Sequence, residues 1–476
     1  MALTGSLAAS DMNETVVRCE HADRCGGCPI LSLPYGEQLL VKRGRVVQSV
    51  SRYPTLELVY TEPLVAADPI TSYRTRAKLI VGSGATVGLY AKGGGHHIVD
   101  IPRCRVLSPA LSAAAAFLRA RIDVHEREGG PLAPMMEQTG ALRAIDLRET
   151  RGGGPDEPPS ILLTLVLSRA RSAPIEQLEA CARTLRAEHP AFAGIAANFH
   201  DGDTPQVLGT ETRLLAGEES KPDQLGRSMH LATFGSFVQS HREQAANVHG
   251  ILIEGLGLER PRSEPLRILD LYGGSGSIAL ALANAGARVT LVESFPPAVA
   301  QALAAASLQG VTLDAECQDV GASLKQRHAR KEVFDAAVVN PSRRGMGPVA
   351  REGLARLEVS TIAYVSCDPD TLARDLDHFV RLGYGTTTLR PLDMIPLTDE
   401  VETVTVLRRG ASPTPQVLYE DADILVVPKA PHEAVVPRAE GAPGSSLKER
   451  ALRLPGVRTL RPVSYTHLRA HETVLD

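Results

Sequence analysis

The sequence predicts an α/β protein organised around a mostly parallel sheet with helices on both faces. Three observations carry that expectation. Between residues 229 and 410 strand-like apolar runs alternate with helix-like ones, from "RILDLY" and "SIALALANAG" through "VTLVE", "AVAQALAAASLQG", "DAAVVN" and "IAYVS" to "DTLARDLDHFVRLG". A glycine-rich turn, "YGGSG", joins the first of these strands to its helix. A cysteine, Cys367, stands where a later strand gives way to a helix, the end of a parallel strand at which such sheets bind ligands.

Composition sets the frame for the rest. A chain of 476 residues is long enough for two to four domains with cores of their own. No apolar run is long enough to span a membrane, and the start "MALTGSLAASDMNETVV" lacks the basic and apolar regions of a signal peptide. We therefore expect a cytoplasmic protein with no membrane partner. In that reducing setting a disulfide is disfavoured, and clustered cysteines point to metal binding or catalysis. The net charge of −4 gives no global signature of nucleic-acid binding, so any RNA contact must come from local basic patches.

Along the chain, residues 1–110 hold four of the seven cysteines among short strand-like runs such as "AKLIVGSGATVGLYAKGG". Residues 111–228 mix helix-like "LSAAAAFLRARI" and "PIEQLEACARTL" with the buried-strand pattern "SILLTLVLSRA", interrupted by the loop "ETRGGGPDEPPS". These read as an N-terminal module and a central α+β domain ahead of the α/β domain at 229–410. "RRGASPTPQ" has the composition of a linker, and a new segment begins at Val417.

The α/β domain carries two chemical signals. Gly273, Gly274 and Gly276 let the backbone turn tightly and approach a ligand, and Glu293 ends the next strand 17 residues after Gly276, placed to accept hydrogen bonds from ribose hydroxyls. That pair indicates an adenosine-bearing cofactor and does not separate a dinucleotide from S-adenosylmethionine. Cys367 is the second signal, a candidate nucleophile whose thiolate the following helix would favour. Glu400 and Glu402, in "PLDMIPLTDEVETVTVL", supply a candidate general base if their strand neighbours that of Cys367. A thiolate and a base together suit addition to an electron-poor ring carbon, attack by the neighbouring carbon on a methyl group, and removal of a proton. Cys181 and Cys317 read as core residues.

"CEHADRCGGC" contributes Cys19, Cys25 and Cys28, and "HHIVDIPRCRVLSP" contributes Cys104. The four make an all-sulfur set suited to tetrahedral zinc or to a four-iron cluster. Five residues separate the first two and two the next, with a distant fourth. This three-plus-one spacing differs from the two close pairs usual for all-cysteine zinc and favours the iron–sulfur reading. Arg74, Arg76 and Lys78 alternate in "SYRTRAKL" and so share one strand face, while Arg343 and Arg344 follow the "DAAVVN" strand; both sets are candidate RNA contacts.

These features occur in order along residues 19–409, and together the cysteine cluster, "FGSFVQSH", "DLYGGSG", "VES", "NPSRRGMG", "YVSCDPDTLARDL" and "LDMIPLTDEVETVTVLRR" resemble the RNA (uracil-C5)-methyltransferases. The resemblance implies a Rossmann-like S-adenosylmethionine-dependent domain with an N-terminal iron–sulfur module. It implies Cys367 as the nucleophile toward uracil C6 and Glu402 as the base at C5. Gln239, Tyr272, Gly274, Gly276, Ser277, Glu293 and Asn340 would line the cofactor site, with Glu293 on the ribose. Cys19, Cys25, Cys28 and Cys104 would hold a [4Fe–4S] cluster of structural role. "NPSRRG", with Asn340, resembles the branch acting on 23S ribosomal RNA, which lacks an N-terminal RNA-binding β-barrel; 18 residues precede Cys19 here. Ribosomal RNA is thus the expected substrate, as a flipped-out uridine, with a monomeric enzyme.

The chain departs from the family at Gly273 (usually Cys), His241 (usually Asn), Ser342 (usually Pro), and Asp399 and Glu400. The alternatives are a methyltransferase acting on transfer RNA, a nicotinamide-dependent oxidoreductase and a non-enzymatic metal-holding RNA-binding protein. Residues 417–463 resemble the opening strands of a pseudouridine synthase but contain no "HRLD", so no such activity is expected. "SYTHLRAHETVLD", residues 464–476, has the look of translated sequencing-adapter DNA.

Overall fold

The chain folds around two large sheets, seen in a computed structural model that describes residues 14–410 apart from 95–96, 137–138, 153, 155–156, 203–205, 227, 238 and 387. Beyond 410 it describes only short stretches between 417 and 457, so residues 464–476 lie outside the described residues. No described helix is long and apolar enough to cross a membrane.

The helix Tyr35–Val50 comes first, followed by a two-residue strand, β1 (Tyr60–Thr61). Then come β2 (Arg76–Gly82), β3 (Thr86–Tyr90), β4 (Ile98–Asp100), β5 (Leu142–Thr150), β6 (Ser160–Ser168), β7 (Phe192–His200) and β8 (Glu211–Gly217), forming one sheet of order β4-β3-β2-β5-β6-β7-β8. The helices Pro109–Glu128 and Ile175–Glu188 supply apolar residues to its core. The first of them starts where the Ser108 side chain accepts a hydrogen bond from the Leu111 amide and ends at Gly129, whose φ of 74° suits glycine far better than any residue with a side chain. An antiparallel hairpin, β9 (Ser220–Leu225) and β10 (Ser228–Thr233), leads to the α/β part.

There β11 (Arg267–Leu271), β12 (Arg288–Glu293), β13 (Leu313–Cys317), β14 (Ala336–Val339) and β15 (Thr361–Ser366) are parallel, in spatial order β15-β14-β11-β12-β13. All four residues of β14 and all six of β15 are buried, as expected of strands covered on both faces. The chain closes the sheet with β16 (Tyr384–Gly385), β17 (Thr388–Leu392) and β18 (Glu402–Arg409), the last antiparallel to both β15 and β17. The expected alternation and parallel core are therefore present.

Two expectations need correction. A boundary at 110 cuts through one core: β2, from the first segment, pairs with β5, from the second, and Ala77, Leu79 and Val81 share an apolar core with Ile145 and Leu147. The N-terminal segment also reaches the other sheet, because β1 pairs in parallel with β17 and Val46, Val50 and Leu56 pack in the α/β core. Neither link has a local sequence signature, since each joins residues far apart in the chain.

Candidate active site

Cys367 directly follows β15, and Glu402 opens β18. The antiparallel register pairs Ser366 with Thr403, so continuing it by one residue sets Cys367 across from Glu402. The condition set by the sequence, that the two strands be neighbours, is met. Glu402 is 5 % exposed, and burial pushes its carboxyl up to about 8, with Arg343 opposing and Glu400 reinforcing. Burial likewise pushes the Cys367 thiol up to about 11; Glu402 adds to this and Arg343 counters it. The following helix, Pro369–Arg381, capped by the Asp368 side chain, does not by itself make the thiolate favoured, contrary to the sequence expectation. Burial thus favours the neutral form of both groups.

The loop after β14 borders this pair. Asn340 follows Val339, and the Asn340 amide donates to the Leu271 carbonyl at 3.3 Å. Arg343 reaches Glu400 at 2.9 Å, while Arg344 is exposed. The loop backbone is anchored on Asp375: the Met346 amide donates to it at 2.7 Å, the Tyr364 hydroxyl at 2.6 Å, and Arg351 pairs with it in the interior.

The glycine-rich turn lies at the carboxyl ends of β11 and β12. Gly274 and Gly276 have φ of 55° and 86°, and Tyr272 also has a positive φ, 61°, so the turn is tightly wound just before the helix Ser277–Asn284. The Gly274 amide donates to Glu293 at 3.1 Å and the Phe295 amide does so at 2.9 Å. Ser277 meets the buried His249 ring at 3.1 Å, and burial drives that imidazole down to about 3, so it is neutral. Under the turn, Asp270 is fully buried, and both of its oxygens lack a well-formed hydrogen bond. Burial pushes this carboxyl up to about 7 against the Ala279 amide. Gln239 is half-buried in the segment that precedes His241. His241, where the family has Asn, is wholly buried, stacks on Tyr73 and meets the Pro69 carbonyl at 3.0 Å. Cys317 is exposed rather than a core residue, in register beside Glu293 at the end of the outermost strand. Cys181 is half-buried, 4.0 Å from His125.

Cys19, Cys25, Cys28 and Cys104 all line one cavity, together with Arg74, Lys78 and Arg105. Among the described residues no three acidic, His or Cys side chains close on a point as ligands of a single ion do. The thiols nonetheless sense one another: burial, then Cys104 and Cys25, push Cys28 up to about 12. Four free thiols lining one cavity are the donor set a sulfur-ligated group requires. Arg74, with its buried Nε unpartnered, faces this cavity instead of lying on an open strand face. Arg76 is not a free RNA contact either. Its Nε donates to Asp146 at 3.0 Å and its side chain is 11 % exposed, because the neighbouring strand presents a carboxylate to it. Lys78 remains exposed, at the rim of the cavity.

No protein-family model matches the chain. It is 30% identical over 395 residues to a protein of Thermosynechococcus vestitus named as an RNA methyltransferase, covering 82% of this chain and 83% of that protein. A second such protein, of Clostridium acetobutylicum, is 28% identical over 411 residues, covering 84% and 85%. Among solved structures the chain is similar to the Pyrococcus abyssi tRNA (uracil-54, C5)-methyltransferase in complex with S-adenosyl-L-homocysteine. The TM-score is 0.62 and the identity 25%, over 80% of this chain and 86% of that one.

Proposed function

The chain belongs to the RNA (uracil-C5)-methyltransferase family, and from that premise we propose that it methylates C5 of a uridine in RNA, with 23S ribosomal RNA as substrate and S-adenosylmethionine as methyl donor. The observation that carries this reading is Cys367 facing the buried Glu402 across β15 and β18.

The cofactor supplies one thing, a methyl group on a sulfonium centre. The chain's own residues do the rest. The positive-φ turn at Tyr272, Gly274 and Gly276 brings backbone close to the ligand, Glu293 stands where ribose hydroxyls would exchange for its two amide donors, and Gln239, Ser277 and Asn340 border the same strand ends. Cys367 releases its proton to water and its sulfur bonds to uracil C6, breaking the C5–C6 π bond and moving that electron pair toward C5 and O4. C5 then takes the methyl group, and Glu402 removes the C5 proton. The electrons left behind expel the Cys367 thiolate, which frees 5-methyluridine. A carboxyl raised to about 8 is a stronger base than an exposed glutamate once ionised, and it is matched to a carbon acid near neutral pH.

Cys19, Cys25, Cys28 and Cys104 fit a [4Fe–4S] cluster, supported by their shared cavity and by the positive charge of Arg74 and Arg105 at its wall. We read the cluster as structural, because methyl transfer from a sulfonium moves no electron. The protein acts as a monomer in this reading. Ribosomal RNA is preferred on "NPSRRG"; the transfer-RNA alternative draws support from the activity of the Pyrococcus structure. The deciding experiment offers labelled S-adenosylmethionine and unmodified 23S rRNA or tRNA transcripts to the wild-type protein and maps the product. Transfer to neither RNA rejects the reading, and a product without a C5 methyl rejects the uracil assignment.

A further inference from the structure

Arg343 combines a fixed backbone with an unconfined side chain. The Thr371 hydroxyl donates to its carbonyl at 3.0 Å, Arg374 donates to the next carbonyl at 2.8 Å, and the Met346 amide is tied to the buried Asp375. Gly345, at φ 69°, makes the turn between these anchors. The Arg343 side chain, by contrast, is 64% exposed, and the carboxylate it pairs with, Glu400, is 33% exposed. An ion pair this open to water is worth little and exchanges readily.

Its surroundings say what it would exchange for. The guanidinium lies close enough to bias both Cys367 and Glu402, and the other charged groups around it, Asp368 and Glu400, are acidic. Asp399, next along the same loop, is paired with Arg45. An RNA backbone approaching Cys367 therefore meets carboxylates, with Arg343 and the exposed Arg344 as the cations on the loop beside the nucleophile. A guanidinium binds phosphate oxygens with the same fork geometry that it uses on a carboxylate.

We propose that Arg343 binds a phosphate of the RNA beside the target uridine, and that Glu400 occupies its guanidinium in place of that phosphate until RNA arrives. The inference rests on the RNA-methylating reading above and adds a specificity contact to it.

The test measures filter binding of unmodified 23S rRNA and tRNA transcripts across a salt series, with methyl transfer by the wild-type chain as a separate arm. Failure of wild-type transfer counts against the reading above, whereas the signs of the Kd changes decide the exchange. Arg343→Gln is expected to weaken binding about 10-fold and to lower the salt slope by about 0.7, the value for one contact on a single strand. Glu400→Gln is expected to tighten binding about 2- to 5-fold by removing the competitor. The double variant should match Arg343→Gln, and Arg343→Lys should fall between it and wild type. Glu400→Gln binding that is unchanged or weaker, an unchanged slope for Arg343→Gln, or recovery in the double variant would overturn the proposal. Thermal melts of each variant separate these results from misfolding.

Discussion

Lys42 and Asp393 lie 351 residues apart in the chain and form an ion pair in which both side chains are at 0% exposure. Around it the helix Tyr35–Val50 grips the loop that runs to Glu402. The Tyr35 hydroxyl donates to Asp393 at 2.8 Å, Lys42 donates to the Ile395 carbonyl at 3.0 Å, and the Leu397 amide donates to Gln38 at 3.2 Å. On its other side the loop meets the cysteine region: Leu397 packs with Val17, Leu31, Tyr73 and Val106, against Cys19, Cys28 and Cys104.

Breaking this pair should cost more than its net worth, because the partner left behind is a buried charge without compensation. Lys42→Met is expected to lower stability by about 3–5 kcal/mol in urea denaturation. Lys42→Met combined with Asp393→Leu should recover a large part of that loss. Equal, additive losses for the two changes would show that the pair is not coupled.

Glu402 should make the fold weaker as pH rises. Its folded carboxyl, at about 8, lies above the ordinary 4.5, so the native state holds a proton there that the unfolded state has released. The contribution is fully present below pH 4.5 and is lost as pH rises through about 8. Glu402→Gln should therefore melt above wild type at about pH 8.5, with the gap closing toward pH 4.5. A gap independent of pH would show that Glu402 is not the group responsible.

The two groups proposed as nucleophile and base should fail in different ways. Cys367→Ala removes the bond to C6 and should abolish methyl transfer without leaving protein on the RNA. Glu402→Gln allows the bond to form but cannot remove the C5 proton, so it should accumulate a methylated protein–RNA adduct that survives denaturing electrophoresis. Adduct formation by Cys367→Ala would assign the nucleophile elsewhere.

The cysteine cavity makes a prediction about colour. Purified without oxygen, the protein should be brown and contain iron and sulfide, and Ser at any of Cys19, Cys25, Cys28 or Cys104 should bleach it. Colourless protein with stoichiometric zinc would identify the other metal. Chelation of the iron should also loosen the 393–400 loop, read as faster amide exchange at Leu397, because its apolar contacts include the cysteine segments.

The parts legible in the sequence were those with local patterns. The strand–helix rhythm after 229 located the parallel sheet, and Cys367 and Glu402 were recognisable at strand ends. What was not legible depended on partners remote in the chain. Arg76 reads as a phosphate contact until Asp146, one strand away, is seen to hold it. Cys317 reads as core until β13 proves to be the outermost strand. The orphaned Asp270 carboxylate beneath the turn had no signal beyond its place in "ILDLYGG", since only three-dimensional burial removes its water.

The grip of Lys42 on Asp393 also sets a timetable. The helix Tyr35–Val50 leaves the ribosome early, yet the carboxylate that neutralises its buried amine is made 351 residues later. At about 5–20 residues per second that interval is roughly 20–70 s. Throughout it the helix has early partners, such as the Thr61 and Glu62 carbonyls that Arg43 meets, but its buried lysine lacks the carboxylate that neutralises it. The sheet that carries Cys367 and Glu402 therefore cannot be finished until β18 is made, and the helix Tyr35–Val50 is a stretch on which a chaperone would act.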